Sequence, residues 1–141
     1  MTTQFPVIDR RAIAMRWGDM DAVGHLNNTY YFRYLEQIRI EWLESIGFGI
    51  EPSGVGPVLA DTRCSYRKPL VYPATVEITI ELEKLGGSSL KLRHRFYRQG
   101  DPDTVYASAE VTLVWVDYQA EKSVPIPDAI RAAITAALPA A

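Results

Sequence analysis

The sequence predicts an α+β domain in which an antiparallel sheet wraps one long helix. Three observations carry that expectation: one extended stretch of helical periodicity over residues 29–46, two-residue alternation through residues 58–115 broken by turn signals, and a short alternating segment ahead of the helix. A long helix with a wide apolar face needs a sheet to lie against.

Val7, Arg11, Ile13 and Met15 occupy alternate positions among mostly polar neighbours, which suits a first strand. That strand leads into Arg16-Trp17-Gly18-Asp19-Met20-Asp21-Ala22-Val23-Gly24-His25-Leu26-Asn27-Asn28, where two carboxylates, a histidine and two asparagines precede the helix. Asn27 or Asn28 can cap it, a side-chain oxygen accepting from an N–H of the first turn. Tyr31, Leu35, Ile38, Trp42 and Ile46 then recur at spacings of three and four, and Tyr34 and Leu43 widen the stripe. Gly47 supplies the left-handed residue that stops the helix. At about 1.5 Å per residue it runs about 30 Å, enough to cross a small domain.

Residues 49–57, with Pro52, Gly54, Gly56 and Pro57, read as a loop that borders the ligand. Residues 58–67 read as a strand that ends ahead of Pro69. Val76, Ile78, Ile80 and Leu82 then alternate with Thr75, Glu77, Thr79, Glu81 and Glu83; beyond Gly86-Gly87, Leu90, Leu92, His94 and Phe96 alternate with Lys91, Arg93, Arg95 and Tyr97. Acids on one strand lie beside bases on the next, which favours antiparallel pairing. A turn at residues 99–102 leads to Val105, Ala107, Ala109, Val111, Leu113 and Trp115, and Pro127 takes the first position of a short helix over residues 129–138.

With 141 residues and 48% hydrophobic content, the chain suits one domain over residues 1–141. A net charge of -2 gives no general attraction to nucleic acid or to an acidic membrane surface. The single cysteine, Cys64, excludes an internal disulfide and a Cys-rich metal site. Residues 1–15 lack a signal-peptide core, and no apolar run is long enough to span a bilayer. A cytoplasmic setting follows, and exposed sheet edges predict a homo-oligomer.

The chemistry is expected just before the helix. Its first N–H groups can meet an anion, or a carbonyl that becomes one. Asp21 beside them is either a reacting carboxylate or a local turn brace. Asp19 is read as structural, pairing with Arg16 or Arg39. His25 can orient a carboxylate, hold water or move a proton. Tyr31 is expected in the core or the pocket wall, His94 as a satisfied core histidine, and Cys64 as inert.

Asp21-Ala22-Val23-Gly24-His25-Leu26-Asn27-Asn28, followed by Tyr31, Tyr34, Leu35, Glu36 and Arg39, resembles the hotdog-fold acyl-CoA thioesterases of the 4-hydroxybenzoyl-CoA thioesterase-like group. The resemblance runs from about Ile8 to Val116 and implies a hotdog fold, a five-stranded sheet around one central helix. It implies that Asp21 is the catalytic carboxylate, acting as nucleophile or general base. The backbone N–H of Asn28 would polarise the thioester carbonyl, with His25 an additional catalytic candidate. Asn27, Tyr31, Arg67 and Lys68 are candidates for substrate binding, and Glu36 is a reserve carboxylate. No metal or organic cofactor is expected. The implied partners are an acyl-CoA substrate and a second copy of the chain, as a homodimer or homotetramer with active sites at the dimer interface. A hotdog enoyl-CoA hydratase or dehydratase and a non-catalytic acyl-CoA-binding protein are the competing readings.

Overall fold

The computed structural model describes residues 4–49 and 51–140. β1 (Val7–Ala14) leads through a 3-10 turn (Trp17–Asp19) into α1 (Asn28–Ser45); β2 (Val55–Tyr66), β3 (Thr75–Leu85), β4 (Ser89–Arg98), β5 (Ala107–Asp117), β6 (Lys122–Ser123) and α2 (Asp128–Ala136) follow. The sheet order is β1-β3-β4-β5-β2, with β6 paired to β5 and every pairing antiparallel. β1 and β2 are therefore the edges of the main sheet.

The alternation works as expected. Val76, Ile78 and Ile80 on β3, Leu90, Leu92 and Phe96 on β4, and Ala107, Ala109, Val111, Leu113 and Trp115 on β5 share one buried cluster with Tyr31, Tyr34, Leu35, Ile38, Trp42 and Leu43 of α1. A fully buried side chain of this kind contributes about 1.5–3 kcal/mol, so the helix is held mainly by its apolar face. The opposite face carries cross-strand ion pairs, Arg93 with Glu83 and Glu110 and Arg95 with Glu81. Those pairs fix β4 between acids from both neighbours.

Several boundaries differ from the sequence reading. α1 begins at Asn28 with Asn27 as its cap, and it ends at Ser45 with Gly47 at φ 96°. β2 starts at Val55, so the end of the expected loop is strand; β5 starts at Ala107, not Val105. The sheet gains the two-residue β6, and the expected terminal helix, α2, runs Asp128–Ala136 with Pro127 as its cap rather than its first residue. Ile130 and Ile134 anchor α2 in the core, while its Arg131 Nη2 donates to the Gly86 carbonyl at 2.7 Å. Among the described residues, no helix is long and apolar enough to cross a membrane.

His94 is buried as expected, but it is only half satisfied. The β3–β4 register is the same at Ile78↔Phe96 and at Glu81↔Arg93, but Thr79 and Ile80 between them are not paired in the ladder. The His94 Nδ1–H donates to the Thr79 carbonyl at 2.8 Å, and the Arg95 N–H donates to Thr79 Oγ1 at 2.8 Å. His94 Nε2 has no partner among the described residues. One ring nitrogen thus serves a backbone carbonyl while the other is buried without such a bond.

Burial pushes the His94 pKa down from 6.5 to about 4; the bond to the Thr79 carbonyl opposes the shift and the Arg39 charge adds to it. Below pH 6.5 the unfolded chain binds a proton here that the folded chain refuses, so stability falls as pH drops from 6.5 towards 4. Urea unfolding at pH 7.5 and 4.5 should show about 2.5 kcal/mol more acid destabilisation in the wild type than in His94→Gln, whose amide keeps a donor for Thr79.

Candidate functional site

The segment between β1 and α1 is built around Asp19. This residue is 4% exposed. Asp19 Oδ2 accepts from the Tyr34 hydroxyl at 2.6 Å and from the Arg16 N–H at 3.3 Å, and Oδ1 lies 3.5 Å from Arg16 Nε. Its carbonyl accepts from the Asn27 N–H at 3.0 Å. Of the two arginines considered for it, Arg16 is the partner; the charge of Arg39 is felt instead at His94. Burial, and then the bond to Asp19, hold the Tyr34 hydroxyl well above the usual phenol range, so it remains a donor. Asp19 thus ties the loop to α1.

With Asp19 buried, Asp21 is turned outward. Its N–H donates to the His25 carbonyl at 2.8 Å, and its carbonyl accepts from the Gly24 N–H at 3.0 Å. Gly24 sits at φ 79°, where a Cβ would be strained. Asp21 Oδ1 accepts from the Val23 N–H at 3.0 Å and the His25 N–H at 3.4 Å, while Oδ2 has no hydrogen-bond partner among the described residues. The turn orients one carboxylate oxygen and leaves the other open.

The helix start is also partly open. Asn27 Oδ1 accepts from the Thr29 N–H at 3.0 Å and from its hydroxyl at 2.9 Å, and the Asn27 carbonyl takes the Tyr30 N–H at 2.9 Å. The N–H of Asn28 has no partner among the described residues. A helix dipole adds to the attraction that this donor exerts on negative charge.

These groups meet in a cleft of about 290 Å³. The loop and helix start contribute Asp21, His25, Leu26, Asn28 and Tyr31, and the end of β2 and the segment after it contribute Tyr66, Arg67, Lys68 and Pro69. The Leu26 N–H donates to the Leu70 carbonyl at 2.8 Å, joining the two sides. Tyr31 packs edge-on against Tyr66 at 4.8 Å between ring centroids and tilts against Phe96 at 5.3 Å. Burial, helped by Cys64 and Tyr66 beside it, pushes the Tyr31 hydroxyl up to about 12. Lys68 Nζ lies 5.3 Å from the Tyr106 ring centroid.

Of the sequence-derived candidates, Asp21, His25, Asn28, Tyr31, Arg67 and Lys68 border this cleft. Asn27 does not, because its side chain caps the helix. Glu36 is on the exposed face of α1, paired with Arg33 at 2.9 Å. The expected loop border is also absent, since none of the described residues in 49–57 lines the cleft; Ile50 lies outside the described residues. Burial holds the Cys64 thiol up at about 11, far from thiolate reactivity. Sequence reasoning missed Tyr66, whose only signal was its place at the end of a strand, just before Arg67 and Lys68. A second hollow of about 300 Å³ opens over the ion-paired sheet face and shares Arg67 with the cleft.

The family described as the thioesterase-like superfamily matches residues 15–134. A solved structure from Pseudomonas aeruginosa, described as a candidate thioesterase, is 44% identical with a TM-score of 0.87, covering 91% of this chain and 98% of that one. A protein of Aquifex aeolicus (strain VF5), described as a candidate esterase, is 37% identical over 83 residues, 57% of this chain and 63% of that protein. The long-chain acyl-CoA thioesterase FadM of Escherichia coli (strain K12) is 28% identical over 121 residues, 84% of this chain and 91% of that protein.

Removing the Tyr34 hydroxyl leaves a buried carboxylate short of a donor. Tyr34→Phe should lower unfolding free energy by about 2 kcal/mol, whereas Glu36→Ala in the exposed Arg33 pair should cost under about 1 kcal/mol. Equilibrium denaturation of the two variants side by side checks this.

Proposed function

The chain belongs to the thioesterase-like superfamily, and from that premise we propose that it hydrolyses acyl-CoA thioesters to a free acid and CoA. The observation that carries the proposal is that Asp21 and Asn28 line one cleft, each with a polar atom, Oδ2 and the backbone N–H, that has no partner among the described residues. Hydrolysis builds negative charge on the carbonyl oxygen. In this reading the Asn28 N–H donates to that oxygen, and a preorganised donor of this kind is worth about 3–4 kcal/mol of barrier.

Asp21 supplies the other half through Oδ2. As general base it takes a proton from water, whose oxygen attacks the carbonyl carbon; as nucleophile it attacks that carbon directly, giving a mixed anhydride that water then cleaves. In both routes the C–S bond breaks with its electron pair leaving on sulfur, and in this reading a proton from His25 or from water goes to the departing thiolate. Tyr31 walls the acyl group, while Arg67 and Lys68 meet phosphate charge on the CoA arm. Asn27 serves this site by capping the helix. Neither route needs a metal or an organic cofactor.

A second copy of the chain belongs to the same proposal. β2 is an edge strand, with backbone groups open on its outer side, and its Val55, Val58, Leu59 and Tyr66 are each 40–47% exposed. Pairing of this edge with its symmetry mate would satisfy those backbone groups, as a homodimer or as half of a homotetramer. A reducing, cytoplasmic setting suits the single free thiol.

Incubation with short, long and aromatic acyl-CoAs, following free thiol, tests the reading. The wild type should release thiol from at least one of them, and Asp21→Asn should lower kcat by at least about 100-fold. A wild type that releases no thiol but hydrates an enoyl-CoA is a hydratase, and one that binds acyl-CoA and turns over neither is a binding protein. Either result overturns the proposal.

A further inference from the structure

We infer that Tyr66 is a positioning residue for this reaction, its hydroxyl aiming the Asn28 N–H while its ring walls the acyl group. The inference rests on the hydrolase reading above and assigns a role to a side chain from a distant strand. The Tyr66 hydroxyl donates to the Asn28 carbonyl at 2.9 Å, across 38 residues of sequence.

That carbonyl is an informative place to find a hydroxyl. A helical carbonyl has a second lone pair after its helix bond, so it can accept again without breaking the helix. The peptide that bears the Asn28 N–H then lies between anchors: the Leu26 N–H is held by the Leu70 carbonyl, the Asn27 N–H by the Asp19 carbonyl, and the Asn28 carbonyl by Tyr66. Two of these three anchors come from the far side of the cleft. The distance between the open N–H and the wall carrying Arg67 and Lys68 is fixed by them.

The ring has its own task. Tyr66 is 46% exposed while it borders the cleft, and Tyr31 holds it edge-on. Burial and the neighbouring Cys64 raise the Tyr66 hydroxyl above the usual phenol range, so it stays a donor at physiological pH. Hydroxyl and ring therefore act on different quantities. A donor aimed where charge develops affects the transition state and is read in kcat; an apolar wall touches the bound substrate equally before and during reaction and is read in KM.

Two variants separate them. Tyr66→Phe keeps the ring and the edge-on contact, and should lower kcat by roughly threefold to tenfold, the span of one hydrogen bond, with KM within about twofold of wild type. Tyr66→Leu should show the same kcat loss together with a raised KM, larger for a benzoyl-CoA than for acetyl-CoA. Thermal unfolding of both variants accompanies the kinetics. A Tyr66→Phe enzyme with wild-type kcat overturns the inference while leaving the hydrolase reading intact. A kcat loss matched by an equal rise in KM and a large fall in Tm also overturns it, since that is the signature of a merely structural contact. A wild type inert on every thioester removes the premise and the inference with it.

Discussion

An α-helix cannot satisfy its own first N–H groups, and that constraint organises this molecule. α1 resolves it unequally. Asn27 covers Thr29 with its side chain and Tyr30 with its carbonyl, and no described residue covers the Asn28 N–H. The open donor is harmless at a surface and costly if sealed. Here Asn28 is exposed and lines a cleft.

The surrounding structure keeps that donor in place. The apolar stripe of α1 seats the helix on β3, β4 and β5, which sets where its first turn falls. Asp19, buried and bonded to Tyr34, ties the preceding loop to the helix body and leaves Asp21 outward in its own turn. From the other side, the exit of β2 closes the cleft through Tyr66 and Leu70. Two neighbouring acids in one loop thus take different environments. One braces the loop and the other is exposed with an oxygen to spare.

What could be read in the sequence follows the range of the interactions involved. Strand alternation and the helical stripe are local, and they placed the sheet, α1 and the short terminal helix within a few residues. The cap at Asn27 or Asn28 was legible for the same reason. Tyr34 meets Asp19 from 15 residues away and Tyr66 meets Asn28 from 38, and no local pattern announces such contacts. The start of β2 at Val55 was hidden by Gly54, Gly56 and Pro57, which signal loop locally while Gly56 lies buried against Phe48 and Tyr118. His94 looked like an ordinary core histidine because the gap in β3–β4 pairing, where its Nδ1–H serves the Thr79 carbonyl, is set by both strands together.

The most direct test of the account is a crystal structure of the Asp21→Asn protein with a non-hydrolysable acyl-CoA analogue bound. The account predicts the analogue's carbonyl oxygen about 2.7–3.1 Å from the Asn28 nitrogen, with the side chain at position 21 across the carbonyl carbon from it. A carbonyl bound elsewhere, or an Asn28 N–H closed off by the protein itself once the second copy is in place, would contradict it.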